Sequence, residues 1–141
     1  SCKLLCADAG APPTWWDGRP FDKILLDAPC SALGVTRRHP DIRLRRTPED
    51  LEALRVSQSR LLDALWPLLR PGGTLVYATC SIMAAENDAI IAAFTTRTDD
   101  VELVDIAAQW GRATRFGRQI LPGEDDMDGF YYALLRRRPP L

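Results

Sequence analysis

Three short apolar runs, each stopping at a residue capable of chemistry, constrain this fold more than any other feature of the sequence. Lys3 to Ala7 stops at Asp8, Lys23 to Leu26 stops at Asp27, and Thr74 to Thr79, launched by the breaker Pro71-Gly72-Gly73, stops at Cys80. Runs this short, separated by helical patterns, read as β-α-β units of an α/β domain with a mostly parallel sheet. The longest helical pattern extends from about Pro48 to Leu69. Thr47 is its N-cap, Pro48 its first helical residue, and Glu49 and Asp50 face the positive end of its dipole. Leu51, Leu54, Leu61, Leu62, Leu65 and Leu69 form its apolar stripe, and Pro67 should kink the last turn. A second helix is expected over about Ala84 to Thr96, and late strands over Val101 to Ile106 and Phe130 to Arg136. A turn-rich acidic loop, Pro122 to Gly129, precedes the last strand. With no repeat and no linker, residues 1–141 read as one domain.

Composition narrows the function classes. The 141 residues carry 18 basic and 19 acidic side chains, a formal charge of -1, so no global excess announces a partner. At 46% hydrophobic and 26% charged, the chain is neither disordered nor fibrous. No apolar run approaches the roughly 18 to 20 residues of a membrane span, and the start lacks the pattern of a signal peptide, so the expected compartment is the cytoplasm. Cys2, Cys6, Cys30 and Cys80 are too scattered for a disulfide framework and are expected to be free thiols. With His39 the only histidine, no metal site is expected.

In an open α/β sheet, ligands bind beyond the carboxyl ends of the strands. That rule gathers Asp8, Asp27 with Cys30, and Cys80 around one crevice. A cysteine attacks only as thiolate, and its usual pKa of about 8.5 must be lowered by a helix N-terminus or a cation. The helix expected near Ala84 offers the first of these to Cys80. A free cysteine at a strand end serves equally as a small buried hydrophobe. Pro29, just after the second strand, places Cys30 in the loop. The absence of a Cys-x-x-Cys motif argues against a thiol redox domain. Arg37 to Arg46 concentrates Arg37, Arg38, Arg43, Arg45 and Arg46 against one aspartate, a pattern suited to clamping phosphates. The same arginines could equally tether a solvated loop to neighbouring carboxylates. Arg136 to Arg138 reads as a fraying basic tail.

Taken in order, Asp27-Ala-Pro-Cys-Ser31, Arg37-Arg-His-Pro-Asp-Ile42, Pro71-Gly-Gly73, Tyr77-Ala-Thr-Cys-Ser81 with Glu86-Asn87, and Asp128-Gly-Phe130 resemble the catalytic half of the bacterial ribosomal RNA cytosine-C5 methyltransferases. The Thr-Cys-Ser element is similar to the RNA branch of these S-adenosylmethionine-dependent enzymes, whereas DNA cytosine methyltransferases share only the Pro-Cys element. The resemblance implies a Rossmann-like fold with S-adenosyl-L-methionine as cofactor and 16S ribosomal RNA as partner, its target cytosine flipped into the site. It further implies that Cys80 is the nucleophile adding to cytosine C6, that Cys30 assists product release, that Asp27 faces cofactor and base, and that Asp8 accepts from the adenine amino group. Ala32-Leu33 stands where the family usually has Gly-Thr.

Family members carry, ahead of the matched region, a glycine-rich strand and loop for the methionine end of the cofactor and a second strand for its ribose. Residues 1–141 contain neither. The resemblance therefore implies the C-terminal part of a catalytic domain with its first strands missing, which alone binds cofactor weakly and does not turn over. The absent strands belong between the Lys3 to Ala7 and Lys23 to Leu26 strands, so a ladder edge is left open. Two alternatives stand beside this reading: transfer RNA as substrate, or an RNA-binding chain without turnover.

Overall fold

The computed structural model describes residues 2–140. Its strands are β1 (Phe21–Asp27), β2 (Leu69–Thr79), β3 (Val101–Val104), β4 (Arg112–Ala113), β5 (Arg118–Ile120) and β6 (Phe130–Arg137), and its helices are α1 (Ile42–Arg45), α2 (Pro48–Leu65) and α3 (Asp88–Arg97). The sheet runs β1-β2-β6-β5-β4, with β3 also paired to β6. Among the described residues no helix is long and apolar enough to cross a membrane.

The α/β class expected from the sequence holds, but the sheet is not mostly parallel. Among the described residues only β1 and β2 pair in parallel; the other four pairings are antiparallel. The crossovers through α2 and α3 do carry the chain from β1 to β2 to β3 in one direction, as the alternation of strand and helix patterns requires. β6 then enters between β2 and β3 in the opposite sense and replaces what would have been a second parallel pairing. The β4–β5 hairpin adds to the count. Strands of two and three polar-rich residues carry no legible period.

Lys3 to Ala7 is not a strand. A strand exists only as a member of a ladder, and no neighbour takes up this segment, so Leu4 is 90% exposed and β1 keeps an open edge where Leu25 is 70% exposed. The chain instead turns at Asp8, whose backbone carbonyl accepts from the Trp15 indole at 2.9 Å.

The core lies between the sheet and the two long helices. α2 begins where expected: the Asp50 amide donates to Thr47 Oγ1 at 3.2 Å, while Asp50 Oδ2 accepts from the Thr47 amide at 3.0 Å. It ends at Leu65, and Pro67 sits in a 3-10 turn, Trp66–Leu68, that delivers the chain to β2. Leu61, Leu62 and Leu65 of α2 meet Ile90, Ile91 and Phe94 of α3 over Leu75, Tyr77, Tyr131, Ala133 and Leu135. Those last five residues alternate along β2 and β6, the period of a sheet with one face in the core. Arg137 and Arg138 do not fray: Arg137 pairs with Asp100 at 2.8 Å, and Arg138 donates to the Val101 carbonyl at 2.6 Å. Acceptors exposed at the end of α3 and the start of β3 capture them.

Candidate active site

β1 and β2 are adjacent and parallel, so their carboxyl ends emerge side by side, with Asp27 opposite Ala78. From there Pro29 carries one chain outward to Cys30, and Thr79 releases the other to Cys80. The two sulfurs meet at 3.4 Å, within hydrogen-bonding reach. All four cysteines are free thiols. The Cys30 loop is locked against its neighbour by backbone: the Ala28 amide donates to the Ala78 carbonyl at 2.9 Å, and the Gly34 amide to the Cys80 carbonyl, also at 2.9 Å. Gly34 is required there, because a Cβ would lie 2.1 Å from the Gly129 carbonyl oxygen and 2.8 Å from that of Cys80.

The contact divides the two thiols electrostatically. A hydrogen bond from the Cys30 thiol lowers Cys80 from the ordinary thiol value to about 7, against burial and the charges of Asp27 and Glu86. The same bond, followed by burial, pushes Cys30 up. The pair therefore loses its first proton near neutrality, from Cys80. The cause differs from the helix N-terminus expected from the sequence. α3 starts at Asp88, four residues later than expected, because Asn87 has non-helical φ/ψ of -109° and -102° and residues 84–87 form a turn.

Beneath the sulfurs lies a polar layer built on Glu86-Asn87, the pair that accompanies the Thr-Cys-Ser element in the sequence; its convergence and the part of Gln58 are new from the structure. Glu86 is 0% exposed and accepts from the Ser31 amide at 2.8 Å, the Ser31 hydroxyl at 2.6 Å, Gln58 Nε2 at 3.1 Å and the Ser81 hydroxyl. Asn87 donates to the Ser81 carbonyl at 3.0 Å and to Gln119 Oε1 at 2.9 Å, and accepts from the Thr79 hydroxyl at 2.6 Å. Serine directly after each loop cysteine and the Glu86-Asn87 pair were the available signals. Gln58, on the buried side of α2, gave none.

The two aspartates lie at one groove, not at the thiol contact. Asp27 is exposed at the end of β1 and borders an open groove of about 490 Å³ walled by Ala9, Trp15, Leu25, Leu26 and Leu65. Asp8 lies next to Ala9 but is held by Arg60 at 3.3 Å and the Gly10 amide at 2.8 Å, which keep its carboxyl below the usual range.

The arginine segment is largely tied down, though not by the nearby acids of α2. Arg37 pairs with Asp128 and Asp126, both at 2.9 Å, Arg38 pairs with Asp128, and Arg45 pairs with Asp41 at 3.3 Å. Arg46 donates to the Ser31 carbonyl at 2.9 Å and so buttresses the Cys30 loop. Arg43, on α1, is exposed.

Residues 1–136 match the model of the family described as 16S rRNA methyltransferase RsmB/F. Ribosomal RNA small subunit methyltransferase B of Vibrio vulnificus is 56% identical over 133 residues, 94% of this chain, and the enzyme of the same name from Xanthomonas campestris is 54% identical over the same length. The chain spans about 30% of the length of these relatives. Among solved structures, NSun6 from Pyrococcus horikoshii with SFG superposes with a TM-score of 0.83 at 32% identity, covering 98% of this chain and 35% of that one. A methyltransferase homolog from the same organism gives 0.77 at 30% identity, covering 96% and 44%.

Proposed function

Because the chain belongs to the 16S rRNA methyltransferase RsmB/F family, we propose that it is the cysteine-bearing part of an enzyme that methylates C5 of a cytosine in small-subunit ribosomal RNA, in the cytoplasm, using S-adenosyl-L-methionine. The observation that carries this reading is the pair of loop thiols at 3.4 Å, of which one is ionised near neutral pH.

C5 of cytosine is a poor nucleophile until a thiolate adds to C6. Cys80 supplies that thiolate: its sulfur bonds to C6 and the ring becomes an enamine, nucleophilic at C5. When bound, the cofactor would supply the methyl from its sulfonium, its own sulfur leaving as a neutral thioether. C5 then gives up its proton, and elimination of the Cys80 sulfur restores the ring. Cys30 assists this release, for a reason that follows from the coupling. Once Cys80 is bonded to carbon it carries no charge and is only a weak hydrogen-bond acceptor, so of the effects that hold Cys30 protonated the Cys80 charge disappears and the hydrogen bond weakens, and Cys30 becomes able to take part in proton transfer. Only one of the two sulfurs is ionised at a time.

The groove beside β1 fits a cofactor of this kind in part. Its Trp15, Leu25 and Leu26 walls suit a flat ring, Asp27 places a carboxylate at the rim, and Asp8 adjoins it as an acceptor for an amino group. The groove is open along the β1 edge, so this chain supplies one flank of the site and its tests use the longer enzyme. Incubating that enzyme with 5-fluorocytosine-containing RNA and cofactor should trap a denaturation-resistant complex, with RNA attached to the peptide bearing Cys80 by mass spectrometry. Attachment at Cys30 would reverse the two roles.

Arg37, Arg38, Arg43, Arg45 and Arg46 are the proposed phosphate side of the RNA site, with the strongest claim at exposed Arg43 and at exposed Arg45, which is held by Asp41 four residues before it, whereas Arg37 and Arg38 are bound to Asp128 and Arg46 to the Ser31 carbonyl. Neutralising these two in the longer enzyme should flatten the salt dependence of RNA binding by about one to two units of log-log slope. An unchanged slope would assign the segment to loop tethering.

A further inference from the structure

We propose that Glu86 is the positioning residue of this site: its carboxylate pins Ser31 and Ser81, and through them holds the Cys30 and Cys80 loops at the separation that brings the two sulfurs together. Four donors converge on it, two on each oxygen. Ser31 N and Gln58 Nε2 donate to Oε1, and the Ser31 and Ser81 hydroxyls donate to Oε2. A carboxylate has about four lone-pair sites, so this acceptor is saturated, and it is fully buried with no ion pair among the described residues. Ser31 and Ser81 each follow a loop cysteine, and Gln58 also donates to the Pro29 carbonyl at 2.9 Å, on the other side of Cys30. The Tyr77 hydroxyl fixes the Glu86 backbone by donating to its carbonyl at 2.7 Å. The turn carrying Glu86 is thereby anchored to the strand that ends in Cys80. Two loops fifty residues apart in sequence thus share one central acceptor.

Electrostatics alone predicts the opposite consequence of removing the charge, which makes the idea testable. The titratable groups that bear on Cys80 are Cys30, Asp27 and Glu86, with Tyr77 packed below, and the Glu86 charge by itself opposes the thiolate. If Glu86 were only a nearby charge, Glu86→Gln would make Cys80 more acidic. If it sets the geometry, an amide nitrogen facing hydrogen-bond donors breaks the pin, the loops part, Cys80 loses its hydrogen bond from Cys30, and its ionisation returns towards the ordinary thiol value.

The test is the pH dependence of iodoacetamide labelling of Cys80 in the longer enzyme, read peptide by peptide by mass spectrometry, with circular dichroism to verify the fold. The parent should show a midpoint near 7. Glu86→Gln should move it upward, with labelling at pH 7 slowed about tenfold or more. Ser81→Ala, which keeps the charge and removes one pin, should move it the same way by less, and it serves if Glu86→Gln does not fold. A midpoint that falls or stays in place in either folded variant overturns the proposal. The inference rests on the proposed function only for its meaning in turnover, since labelling needs no RNA. A shifted midpoint without any RNA adduct would refute the methyltransferase reading alone, and an adduct without a shift would refute the positioning role alone.

Discussion

Cys80→Ala in the longer enzyme is expected to abolish the trapped RNA complex and to cut turnover by about 10⁴-fold or more, the scale on which enzymes lose activity when an attacking nucleophile is removed. Cys30→Ala should behave differently. Addition at C6 needs only the Cys80 thiolate, whereas release needs the second group, so ordinary, unfluorinated RNA should now remain bound to Cys80. A gel shift that resists denaturant and disappears in the double variant would report this. The removal of Cys30 has a second effect: without the thiol that donates to it, Cys80 loses the main cause of its low ionisation point and should attack more slowly below about pH 8. Equal, complete loss of adduct in both single variants would sink the assignment.

The largest effect expected on stability is at Phe94. Its ring is 1% exposed, lies edge-on to Trp66 at 5.4 Å and carries the Arg97 guanidinium at 5.2 Å on its outer side. Phe94→Ala removes the residue that joins α3 to the end of α2 and leaves a cavity between them. The cost should be about 3 to 5 kcal/mol. Leu25→Ala, at a 70% exposed position on β1, should cost well under 1 kcal/mol. Urea denaturation of the protein carrying each variant would separate the two, and equal midpoints would place the core elsewhere.

What was legible in the sequence follows from what local chemistry can encode. The N-cap at Thr47, the β1 and β2 strands and the late strand from Phe130 are local signals of propensity, period and turn residues, and all are present. Cys30 and Cys80 could be brought to one crevice from topology alone, because adjacent parallel strands must end side by side. Partner choice was not legible. Lys3 to Ala7 carries the local pattern of a strand, and only the missing strands implied by the resemblance show that it lacks a ladder neighbour; nothing in Phe130 to Arg137 reveals that it inserts against the direction of β2 and β3. The ion pairs of Arg37 and Arg38 with Asp128 failed for the same reason, since about ninety residues separate the partners. The buried layer around Glu86 was visible only as residue types. Its convergence is a product of the fold.

The central place of β6 has a consequence for how this polypeptide comes into being. β6 is flanked by β2 on one side and by β3 and β5 on the other, yet it is the last of the six strands to be synthesised. Until Phe130 to Arg137 has left the ribosome, β3 has no neighbour, the β4–β5 hairpin is unattached, and the Gly129 amide cannot yet donate to the Gly34 carbonyl beside Cys80. Until then the β1–β2 pair and the β4–β5 hairpin are the only pairings available among the six described strands, and the remaining pairings cannot be completed piecemeal. Long-range pairings such as Leu75 with Leu135 close late and together. Stalled or prematurely terminated products would be quality-control substrates rather than partly working enzymes.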